Sequence, residues 1–181
     1  MRSDTTEVKI STEGPVVIIG EKINPTGYKR LARALEEGDL AYVRELAMRQ
    51  VTAGADVLDI NVGVPGLDEV TLLPRVVQVV VSQVNVPICL DSANPDALAA
   101  ALAVVPGKPL VNSVNGAEAS LNAVLPIVKD RGAAVIGLTM DDSGIPTDPQ
   151  SRLAIAERIL ERATEIGIPA EDVVIDPLVL T

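Results

Sequence analysis

Acidic and amide side chains recur at the ends of apolar runs in this sequence, and no histidine stands anywhere in it. The positions are Asn24, then Asp59 with Asn61, then Asp91, Asn112 and Asp176. Without histidine, every Ser-His, Cys-His and His-metal arrangement is excluded at once. Any chemistry therefore falls to carboxylates, amides, hydroxyls, lysine or arginine. The one cysteine, Cys89, rules out an internal disulfide and a multi-cysteine zinc site, and reads as core packing. Each polar position also has a plain structural reading. Asn24 before Pro25, Asn61 in Asn-Val-Gly and Asp176 before Pro177 can shape turns, Asp59 can bond nearby backbone amides, Asp91 can serve the start of the next helix, and Asn112 can cap a loop. Singly, neither reading prevails; together, a carboxylate or amide at the same end of successive runs is hard to ascribe to accident.

The runs that must position these groups are rich in valine and isoleucine: Val16–Asn24, Ala55–Gly63, Pro87–Ser92, Pro109–Val114, Ala133–Met140 and Val173–Val179. Stretches of helical period separate them, which is the pattern of a parallel α/β fold, and the near-continuous hydrophobicity of each run fits strands covered on both faces. Asp59 and Asn61 are two apart and so project to one face of their strand. Asn94 with Pro95, and Asp148 with Pro149, predict helix starts, while Gly54, Gly132 and Gly167 predict left-handed helix ends. Pro126 inside a helix predicted over Ala117–Asp130 predicts a kink or a break. Residues 1–12 are polar and charged and read as a loose, flexible leader, leaving 13–181 as one domain.

Strand ends recur about every 30 residues, and eight such units need roughly 240, the size of a (β/α)₈ barrel in which strand-end side chains meet at one mouth. This chain has 181 residues and six units. Spacing alone leaves two architectures open: a barrel truncated after about six units, or an open doubly wound sheet with its ligand at a topological switch point. Composition narrows the partners. With 15 Lys and Arg against 25 Asp and Glu, a net charge of −10, and only Tyr28 and Tyr42 as aromatics, nucleic acid is not expected. The longest apolar stretches, Val76–Val81 and Ile10–Ile19, are too short or too broken to span a membrane, and no secretory pattern opens the chain, so a reducing cytoplasm is the expectation.

A mouth of carboxylates and amides suits a ligand with several N–H donors in one plane, because a carboxylate accepts two parallel bonds from a guanidine-like edge. A pterin presents that edge through its 2-amino group and N3–H. A hard cation such as Mg²⁺, held by Asp59, Asp91 and Asp176, competes on residue types alone.

The residues themselves resemble a known group. Gly-Glu-Lys-Ile-Asn at 20–24, Asp-Ile-Asn-Val-Gly at 59–63, Cys-Leu-Asp-Ser at 89–92, Val-Asn-Ser-Val-Asn at 111–115, Ile-Gly-Leu-Thr-Met at 136–140 with Gly-Ile-Pro at 144–146, and Ile-Asp-Pro-Leu at 175–178 look like the pterin-binding barrels. They are most similar to methyltetrahydrofolate:corrinoid/iron-sulfur-protein methyltransferases, with the folate domain of cobalamin-dependent methionine synthase related and dihydropteroate synthase more distant. Asn-Pro-Thr-Gly-Tyr at 24–28 departs from the strand-one loop of dihydropteroate synthase and argues against that activity.

The resemblance implies a (β/α)₈ TIM barrel of the pterin-binding type, here without strands seven and eight. It implies that Asp176 takes the 2-amino and N3–H edge, that Asn112 bonds the ring beside it, and that Asp91 lies toward N8 and N5, these three being the catalytic candidates. Asn24, Asp59 and Asn61 would line the floor, and the Met140–Pro146 loop, with Met140 and Ile145, would border the pocket. Lys22 stands where the family usually has arginine and keeps the charge without the bidentate fork. The implied reaction moves the N5 methyl of methyltetrahydrofolate to the Co(I) corrinoid of a partner protein, in a homodimer, with no resident metal. Alternatives kept open are a pterin-binding module without catalysis, a Mg²⁺-dependent barrel enzyme, and a dihydropteroate synthase-like activity.

Overall fold

The computed structural model describes residues 1–179. The chain divides into two compact units, Met1–Leu110 and Val111–Thr181. Strand and helix alternate in both, as the six runs predict.

In the first unit the order is β1 (Ile19–Ile23), α1 (Lys29–Glu37), α2 (Leu40–Thr52), β2 (Val57–Ile60), α3 (Glu69–Val81), β3 (Ile88–Asp91) and α4 (Pro95–Leu102). β2 lies between β1 and β3, parallel to both, with Ile19 opposite Val57 and Leu58 opposite Ile88. All four residues of β2 are buried, which accounts for an apolar run with no alternation. Leu58, Ile60, Leu73, Leu90 and Leu98 are among the fully buried side chains of this unit. The second unit holds β4 (Leu110–Asn115, which begins on the last residue of the first), α5 (Glu118–Arg131), β5 (Ala134–Leu138), α6 (Pro149–Glu165) and β6 (Val173–Asp176). β5 and β6 are parallel, Val135 opposite Val173 and Leu138 opposite Asp176. Leu121, Leu125, Val135 and Ile159 fill its core.

The helix ends follow their capping residues. Asn94 Oδ1 accepts from the amides of Asp96 at 3.0 Å and Ala97 at 3.4 Å, and Asp148 Oδ1 accepts from Ser151 at 2.8 Å. Gly132 closes α5 in the left-handed conformation that a side chain disfavours.

Three expectations change. The first strand begins at Ile19 rather than Val16, because nothing covers Val16, which is 88% exposed. α5 runs unbroken through Pro126, and α3 likewise contains Pro74. Each proline costs its helix one amide donor, but Leu121, Leu125 and Val128 on α5 are buried, and packing holds the helix together. The first eight residues are tied down rather than loose: Met1 donates to the Val8 carbonyl at 2.8 Å, and Arg2 and Lys108 exchange backbone bonds at 2.7 and 2.9 Å. Ser3, 6% exposed, donates to the Asn85 carbonyl at 2.7 Å. Gly107 permits this approach, since a Cβ there would overlap the Arg2 carbonyl.

Candidate functional site

In the first unit the carboxyl ends of β2 and β3 carry a polar group of side chains. Asp59, 6% exposed, sits in β2 opposite Cys89. Burial pushes the Cys89 thiol well above its ordinary pKa, and the Asp59 carboxylate beside it adds to the effect, so this sulfur stays protonated. Asn61 follows directly after β2. Its Oδ1 accepts from the Gly63 amide at 2.8 Å, and its Nδ2 donates to Asp91 Oδ2 at 3.0 Å. One side chain thus shapes the turn and grips a carboxylate on the neighbouring strand.

Asp91 ends β3, and the start of α4 is managed without it. Ser92 Oγ and Asn94 supply the capping contacts, the former accepting from the Asn94 amide at 3.0 Å. Ser92 Oγ in turn donates to Glu69 Oε2, at the start of α3, at 2.6 Å. The Asp91 carboxylate is half-buried with Asn61 as a bonded neighbour. Burial raises its pKa, the Asn61 bond opposes that, and the Glu69 carboxylate raises it further. Asn24 is half-buried after β1 and accepts from the Thr26 amide at 2.9 Å, a turn role. Lys22 is exposed, with Nζ 5.5 Å from the Tyr28 ring centre and 3.6 Å from Glu21.

In the second unit the corresponding ends belong to β4, β5 and β6. Asn112 is half-buried within β4, and its peptide bond to Ser113 is cis. Asp176 ends β6, half-buried, and its Oδ1 accepts from the Leu178 amide at 2.8 Å. Leu178 holds a positive φ of 52°, which leucine adopts only under local constraint. Thr139, 1% exposed, binds the Asp176 carbonyl twice, through its amide at 3.1 Å and its hydroxyl at 3.2 Å. Met140 is half-buried and its carbonyl accepts from the Gly116 amide at 2.8 Å. Ile145, 39% exposed, stands in the loop between β5 and α6. Arg152, from the first turn of α6, reaches the carbonyls of Pro146, Pro177 and Leu178 at 2.8, 2.7 and 3.1 Å.

The turn reading is therefore true of Asn24, Asn61 and Asp176, and it does not compete with a binding role. An Asx turn occupies one oxygen and fixes the rest of the side chain in place. Asp91 has no capping duty at all. Glu69, Ser92, Thr139 and Arg152 were not singled out from sequence; the Asp68–Glu69 pair at a helix start was the one available signal. Among the described residues, no group of three or more Asp, Glu, Cys or His side chains is placed to hold a metal ion. Nor is any described helix long and apolar enough to cross a membrane.

Comparison with known proteins gives a consistent picture. The family described as pterin binding enzyme matches residues 20–181. A methylcorrinoid:tetrahydrofolate methyltransferase of Eubacterium limosum is 30% identical over 167 residues, covering 91% of this chain and 61% of that protein. A methionine synthase of Mycobacterium tuberculosis is 30% identical over 182 residues, 97% of this chain and 15% of that protein. Among solved structures, dihydropteroate synthase of Yersinia pestis aligns with a TM-score of 0.71 at 18% identity, over 89% of this chain and 62% of the other. The Xanthomonas albilineans enzyme in complex with 7,8-dihydropteroate gives 0.64 at 22%, over 94% and 61%. At those identities the likeness shows the fold, the α/β barrel type anticipated above. The chain spans about three fifths of the first relative's length.

Proposed function

The chain belongs to the pterin-binding enzyme family, and we propose that it serves a methyltransferase that moves the N5 methyl of methyltetrahydrofolate to the Co(I) corrinoid of a partner protein. Two relatives with names from corrinoid and methionine chemistry support this reading. The observation that carries it is Asp91: a half-buried carboxylate with raised proton affinity, held by Asn61 and spared from helix capping.

The chemistry asks for such a group. When the N5–CH₃ bond breaks, its electron pair stays on nitrogen, and N5 must gain a proton or a strong donor as the methyl leaves. Asp91 is assigned to the N5 and N8 side, where a carboxyl of raised proton affinity can share a proton with the departing nitrogen. Asp176 is assigned to the 2-amino and N3–H edge, accepting through the oxygen that does not serve Leu178, with Asn112 on the adjoining ring atoms. Asp59, Asn61 and Asn24 support the floor, and Met140 and Ile145 border the ring. The corrinoid supplies the nucleophilic metal and travels with its own protein. The same reading includes a homodimer working in the cytoplasm, checked by light scattering and fractionation.

Titration calorimetry with methyltetrahydrofolate, paired with a spectroscopic methyl-transfer assay on reduced cobalamin, tests the proposal. Binding with transfer supports it; binding without transfer supports a non-catalytic module; no binding overturns it. A second reading has its own observation. The Eubacterium limosum relative is named for transfer from methylcorrinoid to tetrahydrofolate, the reverse direction. Asp91 would then accept the proton that N5 loses, and starting the assay from methylcobalamin and tetrahydrofolate separates the two directions.

A further inference from the structure

Within the second unit, one arginine ties together three backbone carbonyls from two separate loops. Arg152 Nε donates to the Pro146 carbonyl at 2.8 Å, at the end of the loop that follows β5. Its Nη1 donates to the Pro177 carbonyl at 2.7 Å and the Leu178 carbonyl at 3.1 Å, in the turn that follows β6. All three acceptors are backbone oxygens, and none of these bonds belongs to an ion pair. The turn it holds is the one that orients Asp176: the Leu178 amide donates to Asp176 Oδ1 at 2.8 Å, and Leu178 keeps a positive φ of 52°. A leucine in that region relaxes unless its surroundings hold it.

We infer that Arg152 is a positioning residue: by clasping the Pro146 and Pro177–Leu178 carbonyls it holds Leu178 in its left-handed conformation and so fixes the direction of the Asp176 carboxylate. The inference rests on the assignment of Asp176 to the pterin edge. A guanidinium suits the task because its donors lie in one rigid plane and serve several carbonyls together, whereas a lysine ammonium is a point charge on a flexible stem. The clasp also couples two elements of the proposed site. The loop carrying Ile145 and the turn carrying Asp176 share one side chain, so loosening either loosens both.

The test uses the full chain and two readouts. The first needs no ligand: hydrogen exchange of the Leu178 amide in Arg152→Ala and Arg152→Lys. At least tenfold faster exchange at Leu178 is expected in Arg152→Ala, with the amides of Val135 and Ile136 in β5 unchanged, because the turn opens while the strand stays folded. Arg152→Lys should recover little of this, and guanidinium ion added to Arg152→Ala should slow the exchange again. Unchanged Leu178 exchange, or equal acceleration throughout β5, overturns the clasp. The second readout is calorimetric affinity for tetrahydrofolate, expected to fall about tenfold in Arg152→Ala at unchanged thermal midpoint. If the wild-type chain binds no pterin, the functional reading falls and the exchange result alone decides the clasp. If the wild type binds and Arg152→Ala binds equally well, the positioning role is overturned while the pterin site stands.

Discussion

The two units hold their strand-end carboxylates by different means. In the first, Asp91 is gripped by another side chain, the amide of Asn61, with Cys89 buried close by and Glu69 bridged to Ser92. In the second, Asp176 is oriented by backbone: the Leu178 amide on its carboxylate, Thr139 on its carbonyl, and Arg152 on the carbonyls just beyond. The distinction has a chemical consequence. Side-chain burial without a cation raises the affinity of Asp91 for a proton, which suits a group that must hold or share one. An orienting amide leaves a carboxylate aimed and accepting, which suits the recognition of a flat N–H edge. In the proposed reading Asp91 is the proton-handling carboxylate and Asp176 the recognising one, each matched to the way it is supported.

Replacing Asp176 breaks the recognition side most sharply. Asp176→Ala should leave two ligand donors without partners, each costing about 1 to 3 kcal/mol, so calorimetry should read at least roughly a thirtyfold loss of pterin affinity. Asp176→Asn keeps an oxygen for Leu178 and should lose affinity while leaving stability nearly unchanged. The first unit should respond the other way. Asn61→Ala removes an acceptor from Gly63 and a donor from Asp91 together, and urea denaturation should show a loss of about 1 to 3 kcal/mol. If Asp176→Asn destabilises the fold as much as Asn61→Ala, the contrast between side-chain and backbone support is wrong.

Much of this was legible in the sequence, for identifiable reasons. Apolar runs predicted all six strands; β2, buried at every residue, shows why such a run lacks alternation, while β1 carries exposed Glu21 and Lys22. The strand-end polar residues stood out against that background. What stayed hidden depends on contacts distant in the chain. Ser3 was read as part of a loose leader because its partner, the Asn85 carbonyl, lies 82 residues away. Val16 looked like strand because composition does not reveal that it stays 88% exposed. Pro126 predicts a kink or a break because its cost is local, whereas α5 stays unbroken because its buried face, Leu121, Leu125 and Val128, is held by packing that local sequence does not show. The role of Arg152 left no pattern at all, since backbone carbonyls carry no sequence signature. A turn role does not by itself decide against a site role: one oxygen of Asp176 serves the Leu178 amide and the other is left over, whereas Asn61 spends its oxygen on the Gly63 amide and its nitrogen on Asp91.

The smallest effects probe the proton-handling side. Folding raises the pKa of Asp91, so between the ordinary carboxylate range and the raised value the folded state binds more protons than the unfolded one. Stability from this group is full at low pH and is lost as pH rises through the folded pKa. Asp91→Asn abolishes that titration, and its stability relative to wild type should therefore improve steadily from acid to neutral pH in urea melts. A difference independent of pH would mean that Asp91 carries no raised proton affinity. Cys89→Ala is the control that should change least. Its thiol is buried and kept protonated, so Ellman's reagent should find it unreactive until the chain unfolds, and pterin affinity should not move. A fast-reacting Cys89 would mean that the space between β2 and β3 opens to solvent, and the desolvation that raises the proton affinity of Asp91 would no longer hold.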